Sequence, residues 1–213
     1  MTTKPYSPFC VVIVVAALMM LIGCFGRSQP ARFYTLSAEA GRHFEVPPES
    51  AAPNVVVGIG PIQIAEYLDQ SKIINRRSDN RLEQADYDQW AGSFEDNLTH
   101  VLAENLGILV PTERIYLYPW RTSLSIDYQV ALDIIRCDGR LGEAVRIVAR
   151  WSVFSGEEKK VMAVKRSSID ETVNGNDYDA LVAAQSRALA QLSREIAAAI
   201  HAASREKPPE PKN

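Results

Sequence analysis

The chain reads YQVALDII at residues 128–135 and VRIVARWSV at residues 145–153, and both segments place apolar side chains at alternate positions. A period of two is typical of strands that bury one face. A third, less regular alternation follows at Lys160–Ile169. Turn-forming residues stand at Asp138-Gly139, where the connection is expected to extend to Gly142, and at Ser155-Gly156. The sequence therefore predicts an antiparallel β-meander with one apolar face.

Two segments have the helical spacing of three and four residues between apolar side chains. The first is Ser93–Leu106, and Gly107 is expected to end it. The second is a long terminal helix that Asn176 or Asp177 can cap, with an apolar stripe at Leu181, Val182, Leu189, Leu192, Ile196 and Ile200. The predicted fold class is α+β: a mostly antiparallel sheet, made of the meander and N-terminal strands, with two main helices packed on one face.

The segments before the first helix predict further strands. Their expected positions are Arg32–Leu36, Asn54–Gly60, Ile62–Ile64 and a hairpin of Lys72–Arg76 with Arg81–Ala85, while Ala65–Asp69 is expected to form one helical turn. Gly60-Pro61 is expected to end a strand, and Asp86-Tyr87-Asp88 to form a solvated turn. These strands complete the sheet of the predicted domain.

The N-terminal residues have the organisation of an export signal. Lys4 is the only charged side chain before the uncharged run Phe9–Ile22. That run is shorter than the roughly 20 apolar residues that cross a bilayer as a helix. We therefore predict a signal sequence at residues 1–23, a lipidated tether at 24–31, one periplasmic domain at 32–206 and a disordered tail at 207–213.

The uncharged run ends in Leu21-Ile22-Gly23-Cys24, which resembles the lipobox of bacterial lipoproteins. The cysteine of a lipobox supplies the thiol that carries diacylglycerol. The residue before the cysteine is small so that a peptidase can cut there. Cys24 is the predicted site of a diacylglycerol and a further acyl chain such as palmitate, and two or three chains anchor a protein stably. Phe25 follows in place of Asp, which favours the inner leaflet of the outer membrane, facing the periplasm. A short uncleaved anchor is the alternative.

Several features of the chain occur in an order typical of one family. They are the lipobox at Cys24, Phe33–Leu36, Val57–Ile62, Tyr67–Asp69 and Ile73–Trp90. In this order and spacing the chain resembles the PqiC-like auxiliary lipoproteins of ABC-type and intermembrane lipid transport systems. The resemblance covers nearly the whole mature chain, and no single motif carries it.

The resemblance implies an outer-membrane lipoprotein that works with an MCE-type tube protein and an inner-membrane transport subunit. The implied role is docking or gating at the outer-membrane end while phospholipid or another hydrophobic molecule moves between membranes, in support of envelope integrity. The family supplies no catalytic residue to carry over. The oligomeric state stays open, with a homo-oligomeric ring as one arrangement.

Large apolar side chains near predicted loops are candidates for partner contacts. Tyr67, Leu68 and Trp90 either anchor a protein interface, where aromatic residues are enriched, or close the edge of the core. An aromatic loop contains Tyr116, Tyr118 and Trp120. The same two roles are open for this loop, and contact with a membrane surface is a third.

A basic strip is the second candidate surface. Arg146 and Arg150 share the expected open face of the meander, and Lys165 is a candidate third member. A basic face of this kind either contacts lipid phosphate or an acidic partner or only keeps the sheet soluble.

Composition excludes several other functions. The net charge of −3 lacks the basic character of nucleic-acid-binding proteins. The three histidines (His43, His100 and His201) lie in separate segments, and a GxSxG nucleophile motif is missing from the sequence. We therefore expect no enzyme activity, no metal site and no cofactor beyond the lipid on Cys24, and we expect Cys137 to be a buried thiol.

Three functions remain for comparison. The first is a tethered adaptor that docks a transport tube. The second is a lipid carrier, which requires an apolar cavity between the helices and the sheet. The third is a periplasmic hydrolase, which would depend on one of the histidines.

Overall fold

The computed structural model describes residues 29–40, 55–110, 112–121, 123–156 and 159–206. The chain divides into two units, Met1–Ala31 and Arg32–Asn213, and the helices and strands of the described residues belong to the second. The predicted signal sequence with its lipobox, Cys24 and the predicted tail at 207–213 lie outside the described residues. Those three assignments stay predictions.

The described residues form eight strands, two α-helices and one 3₁₀ turn. In chain order these are β1 (Arg32–Tyr34), β2 (Val57–Ile64), the 3₁₀ turn (Glu66–Leu68), β3 (Lys72–Ser78), β4 (Arg81–Trp90), α1 (Phe94–Leu109), β5 (Ile115–Leu117), β6 (Tyr128–Gly139), β7 (Ala144–Ser155), β8 (Val161–Thr172) and α2 (Tyr178–Glu206). The α+β class, the meander and both helices are confirmed.

All eight strands belong to one mixed sheet. Its order is β1-β4-β3-β6-β2-β5, with β7 paired to the opposite edge of β6 and β8 paired to β7. The longest pairings, β6 with β7 and β7 with β8, are antiparallel. Strand β2 lies parallel to the first half of β6, and β3 meets the end of the same edge at Asn75 opposite Gly139. Strand β6 is therefore the central strand.

Both helices pack against the same face of the sheet. Alternate side chains of β6 and β7 point into this core, and Val130, Ile134, Ile147 and Ala149 are fully buried there. The helices contribute a matching set of buried side chains, which includes Leu98, Leu102, Leu106, Leu181, Leu189, Leu192 and Ile196. Neither helix of the described residues is long and apolar enough to cross a membrane.

Both helices begin at a side-chain cap. The Ser93 hydroxyl accepts the amide hydrogen of Asp96 at 3.1 Å at the start of α1. At the start of α2, the Asp177 carboxylate accepts the amide hydrogen of Ala180 at 2.9 Å. Each cap satisfies an amide that has no partner inside the helix. Of the two predicted caps for α2, Asp177 makes the bond.

Strand β2 continues through Gly60-Pro61, where the sequence predicted a turn. Gly60 has a φ of 121°, which other residues rarely adopt, and the register of β2 on β6 shifts between Ile59 and Ile62. A Cβ atom at Gly60 would lie only 2.6 Å from the Cβ atom of Tyr118. Glycine thus allows an irregular step within the strand, and the predicted break is wrong.

Two further elements extend past their predicted ends. Strand β4 includes Asp86–Asp88, which we expected as a solvated turn, and Asp88 is only 2% exposed. Helix α1 continues through Gly107 to Leu109, and the next residue, Val110, is fully buried. A glycine inside a helix costs about 1 kcal/mol relative to alanine, and burying a valine side chain offsets that cost.

The connection between β6 and β7 includes Gly142, as predicted, but it begins later than predicted. Asp138 and Gly139 are the last residues of β6 rather than a turn, and the chain reverses at residues 140–143. The Arg140 amide donates to the carbonyl of Ala144 at 3.0 Å and closes this connection. Asp138 therefore belongs to a strand, and its side chain is fully buried.

Candidate binding face

The face of the sheet that points away from the helices is here named the open face. Its side chains alternate along β6 and β7 with those of the core. The register aligns two rows across it: Gln63, Asp133, Arg150 and Arg166 in one, and Ala131, Ser152 and Val164 in the other. These rows place charged and small side chains next to each other.

Arg146 and Arg150 lie on the open face, but each already binds a carboxylate. The Nε atom of Arg146 is 2.5 Å from Oδ1 of Asp170, and Nη2 of Arg150 is 2.8 Å from Oδ2 of Asp133. The acids belong to the neighbouring strands β8 and β6. The strip is therefore a set of cross-strand ion pairs and carries less positive charge than the arginines alone suggest.

Lys165 does not join this strip. It stands opposite Trp151, a core residue, so its side chain leaves β8 on the helix side. There its Nζ atom lies 2.6 Å from Oε2 of Glu195 on α2. Arg166, the next residue, has the open-face position that the sequence assigned to Lys165.

A shallow groove of about 490 Å³ crosses the open face. Its lining includes Pro61 on one side, Val164 on the other, and the small residues Ala131 and Ser152 between them. Val164 is 71% exposed, an unusual fraction for a valine within a strand. The groove therefore combines apolar surface with two arginines of its lining, Arg150 and Arg166.

The aromatic loop after β5 divides into a packed and an exposed part. The ring of Trp120 lies against Gly58, where an added Cβ atom would be only 3.0 Å from it. Tyr118 meets Trp120 edge-on, with ring centroids 5.5 Å apart, and is itself 58% exposed. Tyr116 is also exposed. The two tyrosines thus remain available for contacts.

Tyr67 belongs to a buried polar cluster, which we name the Asp138 cluster: Tyr67, Arg76, Arg136 and Asp138. The Asp138 side chain is fully buried, and it accepts hydrogen bonds from the Tyr67 hydroxyl at 2.6 Å and from Arg76 at 2.6 and 2.8 Å. Arg136 donates to it at 3.0 Å. Burial, followed by the hydrogen bond to Asp138, raises the pKa of Tyr67. The cluster fixes the 3₁₀ turn to β3 and β6.

The other two candidate anchors are core residues. Leu68 is 4% exposed and Trp90 is 7% exposed, and the Trp90 ring packs on Phe94 with centroids 4.7 Å apart. With Ile74 and Cys137 they border an internal cavity of only about 10 Å³. Leu68 and Trp90 therefore close the edge of the core, the second role that the sequence left open.

Asp88 is a second buried carboxylate. It accepts two hydrogen bonds from the Arg32 guanidinium, at 2.7 and 2.8 Å, and one from the Tyr34 hydroxyl at 2.7 Å. Burial and this hydrogen bond raise the pKa of Tyr34 to about 12. These hydrogen bonds to Asp88 attach the short strand β1 to β4 at the start of the domain.

In the part of the chain that the structure describes, the groups with catalytic potential are not assembled in one place. Cys137 is buried, and burial raises its pKa, which keeps the thiol protonated. His100 contacts the carbonyl of Asp96 within its own helix, His201 contacts the carbonyl of Leu109, and His43 lies outside the described residues. Among the described residues, we find no group of His, Cys, Asp and Glu side chains that could hold a metal ion.

The sequence did not indicate four charged or apolar members of the open face, which are Asp133, Asp170, Val164 and Arg166. The ion-pair acids become visible only when the register of neighbouring strands is known. Val164 did leave a signal, because it interrupts the alternation of Lys160–Ile169 and places an apolar side chain on the polar face.

Comparison with known proteins identifies relatives of this fold. Protein XCC0632 from Xanthomonas campestris, of family DUF330, is 18% identical with a TM-score of 0.66, and the match covers 82% of this chain and 98% of that one. An uncharacterized protein of known structure is 17% identical with a TM-score of 0.65, and the match covers 81% of this chain and 99% of that one. At these identities the likeness shows the fold alone.

No curated protein matches the sequence of this chain. A family model does match, over residues 34–197, and this range contains nearly all of the described helices and strands. The predicted resemblance is thereby confirmed: the chain belongs to the family of ABC-type transport auxiliary lipoprotein components.

Proposed function

We propose that this protein is a non-catalytic docking subunit, anchored through Cys24 to the inner leaflet of the outer membrane and facing the periplasm. In this proposal it receives the end of an MCE-type tube whose other end is held by an inner-membrane transport subunit. The transported molecule is a phospholipid or another hydrophobic compound, and the system supports envelope integrity. The family itself is one of auxiliary components of ABC-type transport.

The match of the family model across residues 34–197 carries the proposal. It concerns the folded domain itself, and so it associates this domain, rather than only the lipobox, with a transport system. The open face adds physical support, since a broad surface with exposed apolar and charged groups suits protein contacts better than chemistry.

The cavities reported above, which described residues line, do not favour the lipid-carrier alternative. A carrier must hold an acyl chain between the helices and the sheet, where water is excluded. The internal cavity beside Leu68, Trp90 and Cys137 measures about 10 Å³, which is enough for one water molecule. The larger groove near Val164 is open to solvent and would leave most of a chain exposed.

Affinity purification from membranes tests the docking function. We expect the acylated protein, solubilised in mild detergent, to retain a subunit of a transport system, because an auxiliary component acts only in its assembly. A Cys24→Ala protein purified from the soluble fraction is the control. Recovery of the anchored form without any transport subunit, after crosslinking in intact cells, would contradict the proposed function.

Substitution of the predicted lipid-bearing residue tests the anchor. We expect Cys24→Ala to abolish labelling by a radioactive fatty acid and to move the protein into the soluble fraction, because each buried methylene of the anchor contributes about 0.8 kcal/mol. Cys10→Ala is the matched control, since Cys10 precedes the predicted cleavage site and should not affect labelling. Persistent acylation of the Cys24→Ala protein would show that another residue carries the lipid.

A further inference from the structure

Strand β8 lies at one edge of the sheet that the described residues form. Its register pairs Ala144–Phe154 of β7 with Val161–Thr172, and no strand of the described residues pairs with its other side. A long exposed edge is a template for pairing with another chain, and proteins usually protect such edges with charges, bulges or a covering element. Here Val161 is 52% exposed and Val164 is 71% exposed. The edge therefore has the properties of an interaction surface.

The charged residues beside Val164 do not protect this edge equally. Lys165 is engaged by Glu195 on the helix side of the sheet. Arg166 stands on the open face directly opposite Arg150 and has no carboxylate partner in the described part of the chain. Like charges opposite each other in a sheet are unfavourable. An external carboxylate beside Arg166 would remove this repulsion.

The edge, the groove and the unpaired arginine are adjacent. Val164 forms one wall of the groove, and Arg166 lines the same groove two residues further along β8. A ligand at this edge must therefore supply an apolar group for the exposed side chain of Val164 and an anionic group for Arg166. An acyl chain with a phosphate would supply both, but the acyl chain has no donors or acceptors that could pair with successive amides and carbonyls along a strand edge. An extended polypeptide supplies all three.

We propose that an extended, acidic segment of a partner polypeptide pairs with the free edge of β8. One apolar side chain of the segment packs against the exposed side chain of Val164, and a carboxylate of the segment binds Arg166. The identity of the partner as a transport subunit rests on the proposed function, whereas the chemistry of the segment rests on the edge of β8, Val164 and Arg166.

Site-specific photocrosslinking in the native cells tests this proposal. A photoreactive amino acid replaces Val164 in the full-length anchored protein, and mass spectrometry identifies the captured segment. The same amino acid at Tyr87, which is 39% exposed on β4, is the positional control. We expect capture from position 164, and not from position 87, of a polypeptide segment that contains Asp or Glu.

Charge reversal makes the test specific. We expect Arg166→Glu to lower the crosslink yield at least tenfold, and reversal of the captured acid to Arg in the partner to restore it. Arg81→Glu makes the same charge change at an exposed position of β4 and should leave the yield within twofold. Lipid adducts alone, a second copy of this chain, a segment without acids, or a yield insensitive to Arg166→Glu would each overturn the proposal.

The same experiment separates this proposal from the docking function. Capture of a transport subunit only from positions remote from β8 would overturn the β8 site and leave the docking function standing. Capture of an acidic segment at position 164 from a protein unrelated to transport would support the site and contradict the docking function.

Discussion

Asp138→Ala is expected to lower the free energy of unfolding by about 3–5 kcal/mol, the usual cost of removing one partner of a buried ion pair. The Asp138 side chain is fully buried, and Arg76, only 12% exposed, would keep its charge without a carboxylate. The Tyr67 hydroxyl would also lose its acceptor. Urea unfolding of the purified domain, followed by circular dichroism, measures the loss.

Asp170→Ala is the matched control for this effect. Asp170 also accepts hydrogen bonds from an arginine, Arg146, but both side chains are about half exposed. Exposed ion pairs contribute about 0–1 kcal/mol. If Asp138→Ala proves no more destabilising than Asp170→Ala, the Asp138 cluster is not the structural centre that its burial indicates.

The contribution of Asp138 should depend on pH in a defined direction. Burial alone would raise the pKa of Asp138, but hydrogen bonds from Arg76 and Tyr67 and the charge of Arg136 outweigh it and lower the pKa below the usual 3.8. A folded-state pKa below the unfolded value means that the stabilisation is complete above the unfolded pKa and is lost as the pH falls through the folded pKa. The difference in stability between wild type and Asp138→Ala should therefore shrink below about pH 4.

The sequence predicted the meander and helices because their signals are local. Alternation in β6 and β7, and the spacing of Leu98, Val101 and Leu102 in α1, depend only on residues close in the chain. The insertion of β2 beside β6 was not predictable in this way. It is a parallel pairing between segments more than 60 residues apart, and no turn fixes its register.

The errors at individual residues have the same cause. Asp88 looked solvated because its neighbours are polar, but Arg32 and Tyr34, more than 50 residues earlier, provide the hydrogen bonds that permit its burial. Arg146 and Arg150 were assigned to the correct face from alternation. Their acidic partners and the position of Lys165 depend on register across three strands, which one sequence does not reveal.

Trp151→Ala is the second substitution for which we expect a large effect, about 3–5 kcal/mol of unfolding free energy, as for other buried aromatic residues. Trp151 is 3% exposed on the core side of β7. Its indole N–H donates to the Ser167 hydroxyl at 2.8 Å, and that hydroxyl donates to Glu195 at 2.6 Å. The side chain thus links β7 through β8 to α2, in addition to filling the core.

Trp151→Phe separates the hydrogen bond from the packing. Phenylalanine keeps most of the apolar contact but cannot donate, so we expect a loss of about 1–2 kcal/mol from the missing bond and the smaller ring. Ser167→Ala should cost about 1–3 kcal/mol, because it leaves the buried indole N–H without an acceptor. The expected order of stability is wild type, then the two conservative variants, then Trp151→Ala.

A double-mutant cycle shows whether Trp151 and Ser167 act as one unit. Once Trp151→Phe has removed the donor, Ser167→Ala no longer leaves an indole N–H unsatisfied, so the two losses should sum to at least 0.5 kcal/mol more than the loss of the double variant. Additive losses would mean that the contact between Nε1 and the hydroxyl contributes nothing measurable. In that case the loss in Trp151→Phe would come from the smaller ring alone.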